Sequence, residues 1–371
     1  MKNLLTIFIL TICMIAVVSS ANAQITSAQS GNWSATSTWT GGVVPTSADN
    51  AVISVGHVVN VDLNPAECNT ISFGDTTAHL TMGIGAVLSV YGNFDLYSTA
   101  HTAFSAWEDG AKLKFSGSVQ QAINNLATST TTTTQTFFKD LQVDKSGDTL
   151  KIPKGDRKLN IVNTLEVVNG VFAMDSAADM QGRTFYGDTS TTPTITIQIG
   201  GMFHMVGGAS HIGSGRTGVP RPPIGKVTIY GKAQVVTTST NFINFGGIDV
   251  EAGGQLNFPT GWTSAKFNPG TITVKSGGII FHSTTTNFWN AAAVLVLENG
   301  SIYKTTASNP TAFPSTMTNN GTVRYQRTGA GDQTMTDMDY YRLEIAFSGN
   351  NKVWTLGANR IIQDSLEVNN S

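Results

Sequence analysis

The chain is 371 residues long, with 22 basic and 24 acidic side chains and a formal net charge of −2. Charged residues are 12% of it against a norm of ~25%, so there is no field to gather nucleic acid or an anionic membrane. Two cysteines, Cys13 and Cys68, exclude a fold held by several disulfides.

Residues 1–23 read as a secretory signal peptide. Lys2 is the positive n-region, Leu4 to Val18 the apolar h-region and Ala21-Asn22-Ala23 the small-residue cleavage site, so the mature chain is expected to start at Gln24. No later stretch approaches the ~20 apolar residues that a membrane span requires. The expected location is extracellular or on the cell surface. Cys68, the cysteine that remains after cleavage, reads as a small buried apolar residue in the strand that runs on through Asn69 to Phe73.

Residues 24–50 are expected to form an N-terminal cap, because the open end of a stacked fold exposes apolar side chains and strand edges. Trp33 and Trp39 suit that role, Val43-Val44-Pro45 lead into a first regular strand at Ala51 to Val55, and Gly56-His57 read as a corner. The residues Trp33, Trp39, Pro45, Asp49, Ile53, Gly56, His57 and Asp62 together resemble the opening of secreted β-helical surface proteins of Bacteroidota-type bacteria. They also resemble the start of the eight-glycine domain of extracellular β-helices. The resemblance implies an extracellular β-helix and carries little about activity.

Short strands follow at Thr70 to Phe73, His79 to Met82, Ala86 to Tyr91, Asn93 to Tyr97 and Ala111 to Phe115, with Gly74, Gly83, Gly85, Gly92 and Gly110 at the corners. Thr128 to Thr136 is a low-complexity polar run that reads as an exposed loop. A long phrase then occurs twice. Phe138-Lys-Asp-Leu-Gln-Val-Asp-Lys-Ser-Gly147 with Leu165-Glu-Val-Val-Asn169 matches Tyr341-Arg-Leu-Glu-Ile-Ala-Phe-Ser-Gly349 with Leu366-Glu-Val-Asn-Asn370. Upstream of each copy, Leu113 to Gly117 matches Val323 to Arg327. This phrase resembles a repeat of large secreted proteins of the same bacteria. The first copy runs on into Gly170 to Met174 and the second stops at Ser371, so a truncated C-terminus is expected.

Between the copies, Thr194 to Met205 and Lys226 to Thr237 read as coils flanking an irregular insertion over 204–224. Insertions on one face of an array are common binding loops. His204, His211, Arg216 and Arg221 are the candidate ligand-binding residues there, suited to an acidic sugar.

From Ile248 to Gln326 one phrase recurs four times: a short alternating run, a polar corner with glycine, and a second short run. The corner glycines Gly253, Gly277, Gly300 and Gly321 are 24, 23 and 21 residues apart. A fixed period of ~20 to 50 residues with two short strands and no helical spacing predicts a β-solenoid. The fold class expected is all-β, a single-stranded parallel β-helix of right-handed coil spanning 51–371. Alternation sends Ile248, Val250, Leu256 and Phe258 inward. It leaves open whether Phe281 or His282 points in, and Ala291 to Leu297 is apolar on both faces.

Pectin-lyase-like enzymes are the enzymatic relatives that such a fold implies, and their hydrolases gather carboxylates on one face. Here there is no Asp-Asp pair and no Gly-His-Gly, and Asn93-Phe94-Asp95 sits in an ordinary strand. No catalytic residue, metal ligand set or cofactor motif is assigned. Trp107, Trp262, Trp289 and Trp354 read as solenoid filling or sugar platforms. The functional expectation is a secreted structural or adhesive module that contacts polysaccharide or other surface proteins, with a polysaccharide lyase or glycoside hydrolase as the alternative. The leader has a direct check: N-terminal sequencing of the exported protein should read Gln24-Ile-Thr, and a chain still starting at Met1 would remove it.

Overall fold

The computed structural model describes residues 22–126, 136–153, 158–174, 179–182, 192–205, 224–235, 243–258, 267–283, 289, 292–306, 313–327, 333–335, 338–347, 354–355 and 360–370. Nearly all of the low-complexity run 128–136, most of the insertion 204–224 and Trp262 lie outside these residues. The chain is 61% strand and 2% helical, wound into a β-solenoid of about 11 turns.

Every pairing between the named strands is parallel. In the first turns three ladders make three sides. Gln24–Thr26, Asn50–Ile53, Ile71–Phe73, Phe94–Asp95 and Gln121–Asn124 stack on one. Gly31–Asn32, Val58–Val61, His79–Met82 and Phe104–Trp107 stack on the second. Ala66–Cys68, Val87–Val90, Lys112–Gly117 and the long strand Phe137–Ile152 stack on the third. The parallel ladders thus reach back to Gln24, ahead of the strand expected at Ala51, and the segment holding Trp33 and Trp39 is itself part of a turn. Both indoles are buried, edge to face with centroids 4.8 Å apart, and Trp39 Nε1 donates to Trp33 O at 2.8 Å. Pro45 is buried, and Cys68 is a buried free thiol whose pKa burial pushes up.

Further along, Ile224–Ile229, Ile243–Val250, Thr271–Val274, Val294–Leu297 and Thr316–Asn319 form one continuous ladder. Lys232–Val235, Gln255–Phe258, Ile279–His282, Ile302–Thr305, Thr322–Arg327, Tyr340–Phe347 and Ile362–Asn370 form another. Ile248, Val250, Leu256 and Phe258 are all buried, as alternation requires. Register decides the strand left open: His282 lies over Phe258 and points in, so Phe281 faces out. A one-residue slip would reverse both. Val294–Leu297 alternates too, with Leu295 and Leu297 inside and the two valines half-buried outside. Each buried Leu, Ile or Phe contributes ~1.5–3 kcal/mol relative to exposure, and the interior rows run unbroken through Leu256, Ile280, Tyr303, Val323 and Leu343.

The corners divide two jobs between adjacent residues. Gly253 has φ +80° and open space around it, so its role is conformational. Gly254 has no positive φ, but a Cβ there would run into Ile229 O of the turn before and lie 3.0 Å from Glu251 O. Gly321 matches Gly254 and not Gly253, because Gln255, Ile279, Ile302 and Thr322 are register partners. The register steps are therefore 24, 23 and 20 residues, one shorter at the last corner than the glycine spacing implies.

The long repeat is also a structural repeat. Leu113, Leu141 and Leu165 stack in register, and so do Val323, Leu343 and Leu366. Leu165 is covered by Thr194–Met205, whereas no described strand lies beyond Ile362–Asn370, and Leu366 and Val368 are 54% and 57% exposed. In the first copy the inward row Leu141, Val143 continues into Lys145, which is buried. Its Nζ donates to Val119 O at 2.7 Å and to Gln121 Oε1, and Gln121 Nε2 donates to Val90 O and Gly92 O. Burial pushes this ammonium down to about 8.

The corner account makes a paired prediction. Gly253→Ala places a side chain at positive φ in open space and costs ~1–2 kcal/mol, whereas Gly254→Ala forces two turns apart. The urea midpoint should drop further for Gly254→Ala, and equal drops would contradict the close-approach role.

Candidate binding groove

Five successive strands, from Lys232–Val235 to Thr322–Arg327, present side chains outward in register. One column is Lys232, Gln255, Ile279, Ile302; the next is Gln234, Asn257, Phe281, Lys304, Arg324. Between them lies an open groove of about 420 Å³. With strands ~4.8 Å apart, five of them give it a length of about 19 Å along the solenoid axis.

Its chemistry is graded along that axis. Gln234, Gln255 and Asn257 make an amide end, Ile279, Phe281 and Ile302 an apolar middle, and Lys304 with Arg324 a cationic end. The Lys304 ammonium lies 5.5 Å from the centroid of the Phe281 ring, a cation–π contact. Arg324 Nε donates to Glu344 Oε2 at 2.7 Å, and the terminal nitrogens have no partner among the described residues.

Elsewhere cations are paired across turns: Lys114 with Asp144, Lys139 with Asp109, Lys226 with Asp249, Lys275 with Glu298 and Arg342 with Asp364, at 2.5–2.9 Å. Lys304, which lines the groove, and Lys232, in the outward column next to Gln255 at its amide end, have no carboxylate partner among the described residues. The eight lining residues include two cations and no carboxylate. The arrangement can therefore bind a polar or anionic ligand, and it holds no acid–base carboxylate pair of its own.

Of the four ligand-binding residues expected from sequence, His204 is in register with Gln234 and so stands one strand from the groove. Burial lowers its pKa. His211, Arg216 and Arg221 lie outside the described residues. Gly56 has φ +72° and its N–H donates to Thr77 Oγ1, while His57 Nδ1 shares a hydrogen bond with Ser27 Oγ at 2.9 Å. Asn93 and Asp95 hold neighbouring backbone and side chain, through Ala122 N and Asn124 Nδ2, around the buried Phe94. Trp107 and Trp289 are buried.

The groove itself is absent from the sequence reading. Aligning the strands Gln-Leu-Asn-Phe, Ile-Ile-Phe-His and Ile-Tyr-Lys-Thr shows the signal: the third position of each faces out, and holds Asn257, Phe281 and Lys304.

Comparison of the chain with protein-family models, with curated proteins and with solved structures gives no match. Among the described residues no group of three His, Cys, Asp or Glu side chains is placed to hold a metal, and no helix is long and apolar enough to cross a membrane.

Behind Phe281, His282 packs on Tyr303 with centroids 5.5 Å apart, and burial holds its pKa down to about 4 from 6.5. The folded state binds fewer protons than the unfolded chain between those values, so stability falls as pH drops through 6.5 and the loss is complete below about 4. That shift is worth on the order of 3 kcal/mol. The urea midpoint should fall between pH 7 and pH ~4.5, and His282→Leu should flatten the fall. An unchanged pH slope in the variant would exclude His282 as the group responsible.

Proposed function

We propose that this chain is a cell-surface adhesive module that holds a glycan in the lateral groove. A β-solenoid fits a structural or adhesive module: in-register ladders give a stiff rod whose flat faces carry repeated side chains. The observation that carries the glycan reading is the groove's composition. A half-buried, outward-facing aromatic with flanking aliphatic residues offers the apolar surface against which a sugar ring packs, and three amide side chains offer paired donors and acceptors for hydroxyls. The signal-peptide pattern of residues 1–23 and the resemblance of residues 31–62 to secreted β-helical surface proteins support an extracellular setting. Capping of the leading end by Trp33 and Trp39 belongs to the same proposal.

Binding of the full chain to an array of polysaccharides tests it. Phe281→Ala and Asn257→Ala should each weaken capture about tenfold or more without lowering the unfolding midpoint, since both side chains face out. Arg216→Ala and Arg221→Ala separate the insertion from the groove. Capture unaffected by the groove variants, or none by the wild type, would overturn the proposal.

A further inference from the structure

We infer that the groove takes an acidic polysaccharide, a chain of carboxylate-bearing sugars laid along the solenoid axis, with Lys304 as its principal anion contact. This rests on the glycan-binding reading and names its substrate class. Three observations carry it.

The first is charge. Lys304 and Lys232 have no carboxylate partner among the described residues, whereas Lys114, Lys226, Lys275 and Arg342 are each paired with one on a neighbouring turn. Arg324 adds terminal nitrogens that have no partner among the described residues, at the same end as Lys304. The second is direction. Lys232 and Lys304 are three strand steps apart, about 14 Å along the axis. One sugar does not reach both, whereas an extended chain does. Lys232 at one end and Lys304 with Arg324 at the other suit carboxylates at intervals, while a densely sulfated chain calls for a continuous run of basic residues. The third is the contact between Lys304 and Phe281. An incoming carboxylate draws the ammonium off the ring and leaves the aromatic face to the adjoining sugar, so anion and ring are recognised together.

The test is titration calorimetry of the full chain with oligouronates of increasing length, with the same oligomers reduced at their carboxyl groups, and with a sulfated neutral glycan. The uronate should bind about tenfold or more tightly than its reduced form, with affinity rising until the chain spans the two lysines and falling with added salt. Lys304→Gln should erase most of the preference for acid, lowering the uronate's affinity far more than the reduced oligomer's. Phe281→Ala should weaken both. Equal binding of the acidic and reduced forms, still sensitive to Phe281→Ala, would overturn the acidic assignment and leave the glycan reading standing. Preference for the sulfated glycan would overturn the carboxylate assignment. Binding of no sugar, with capture of an acidic peptide, would overturn both.

Discussion

Parallel, in-register stacking of one turn on the next is the constraint from which the rest of this molecule follows. Each strand's backbone bonds to the turns on either side, so the position of a side chain is set by the residue one period away. The corners enforce it. At Gly254 and Gly278 the backbone passes so close to the preceding turn that a Cβ would collide with a carbonyl oxygen, and at Gly253 and Gly277 the chain takes a positive φ. Loops between strands differ in length, yet the strand register resumes after each.

That register makes the interior exacting. Inward positions form continuous rows, and polar residues inside them must be accommodated where they fall. Lys145 is the sharpest case: alternation carries it inward, and it is kept there by a backbone carbonyl and the Gln121 amide, with its ammonium destabilised by burial. His282 is accommodated differently, held neutral against the Tyr303 ring. Tyr325 and Tyr340 bond through their hydroxyls at 2.9 Å. Buried polar groups cost free energy unless they are hydrogen-bonded, and buried charges cost more than neutral groups; Lys145 is bonded and His282 is held neutral.

The same register organises the outside. Columns of outward side chains bring residues some two dozen positions apart into contact, and several of them pair: Lys114 with Asp144, Gln142 and Gln198 with Glu166, Asn169 with Asp144. The groove is where that pairing gives way to amides, an aromatic and Lys304, which has no carboxylate partner among the described residues. A rigid scaffold with a local departure from self-satisfaction is suited to holding something else.

The two-strand period, the alternation of Ile248, Val250, Leu256 and Phe258 and the long repeat around Leu141 and Leu343 were all legible in the sequence, because each depends only on local spacing and on the need to bury apolar residues. The corner glycines were legible as corners, but not their two separate jobs, which depend on the backbone of the neighbouring turn. By sequence the candidate ligand contacts fall in the insertion 204–224, and of these four only His204 is among the described residues, beside the groove. Phe281 and His282 are adjacent ring side chains that alternation leaves undecided, and the pairing of His282 with Phe258 assigns one to each face. Asn257, Phe281 and Lys304 are unremarkable in their own strands. Stacking in three dimensions turns them into one surface, because side chains in a parallel solenoid acquire their neighbours from other turns and not from adjacent residues.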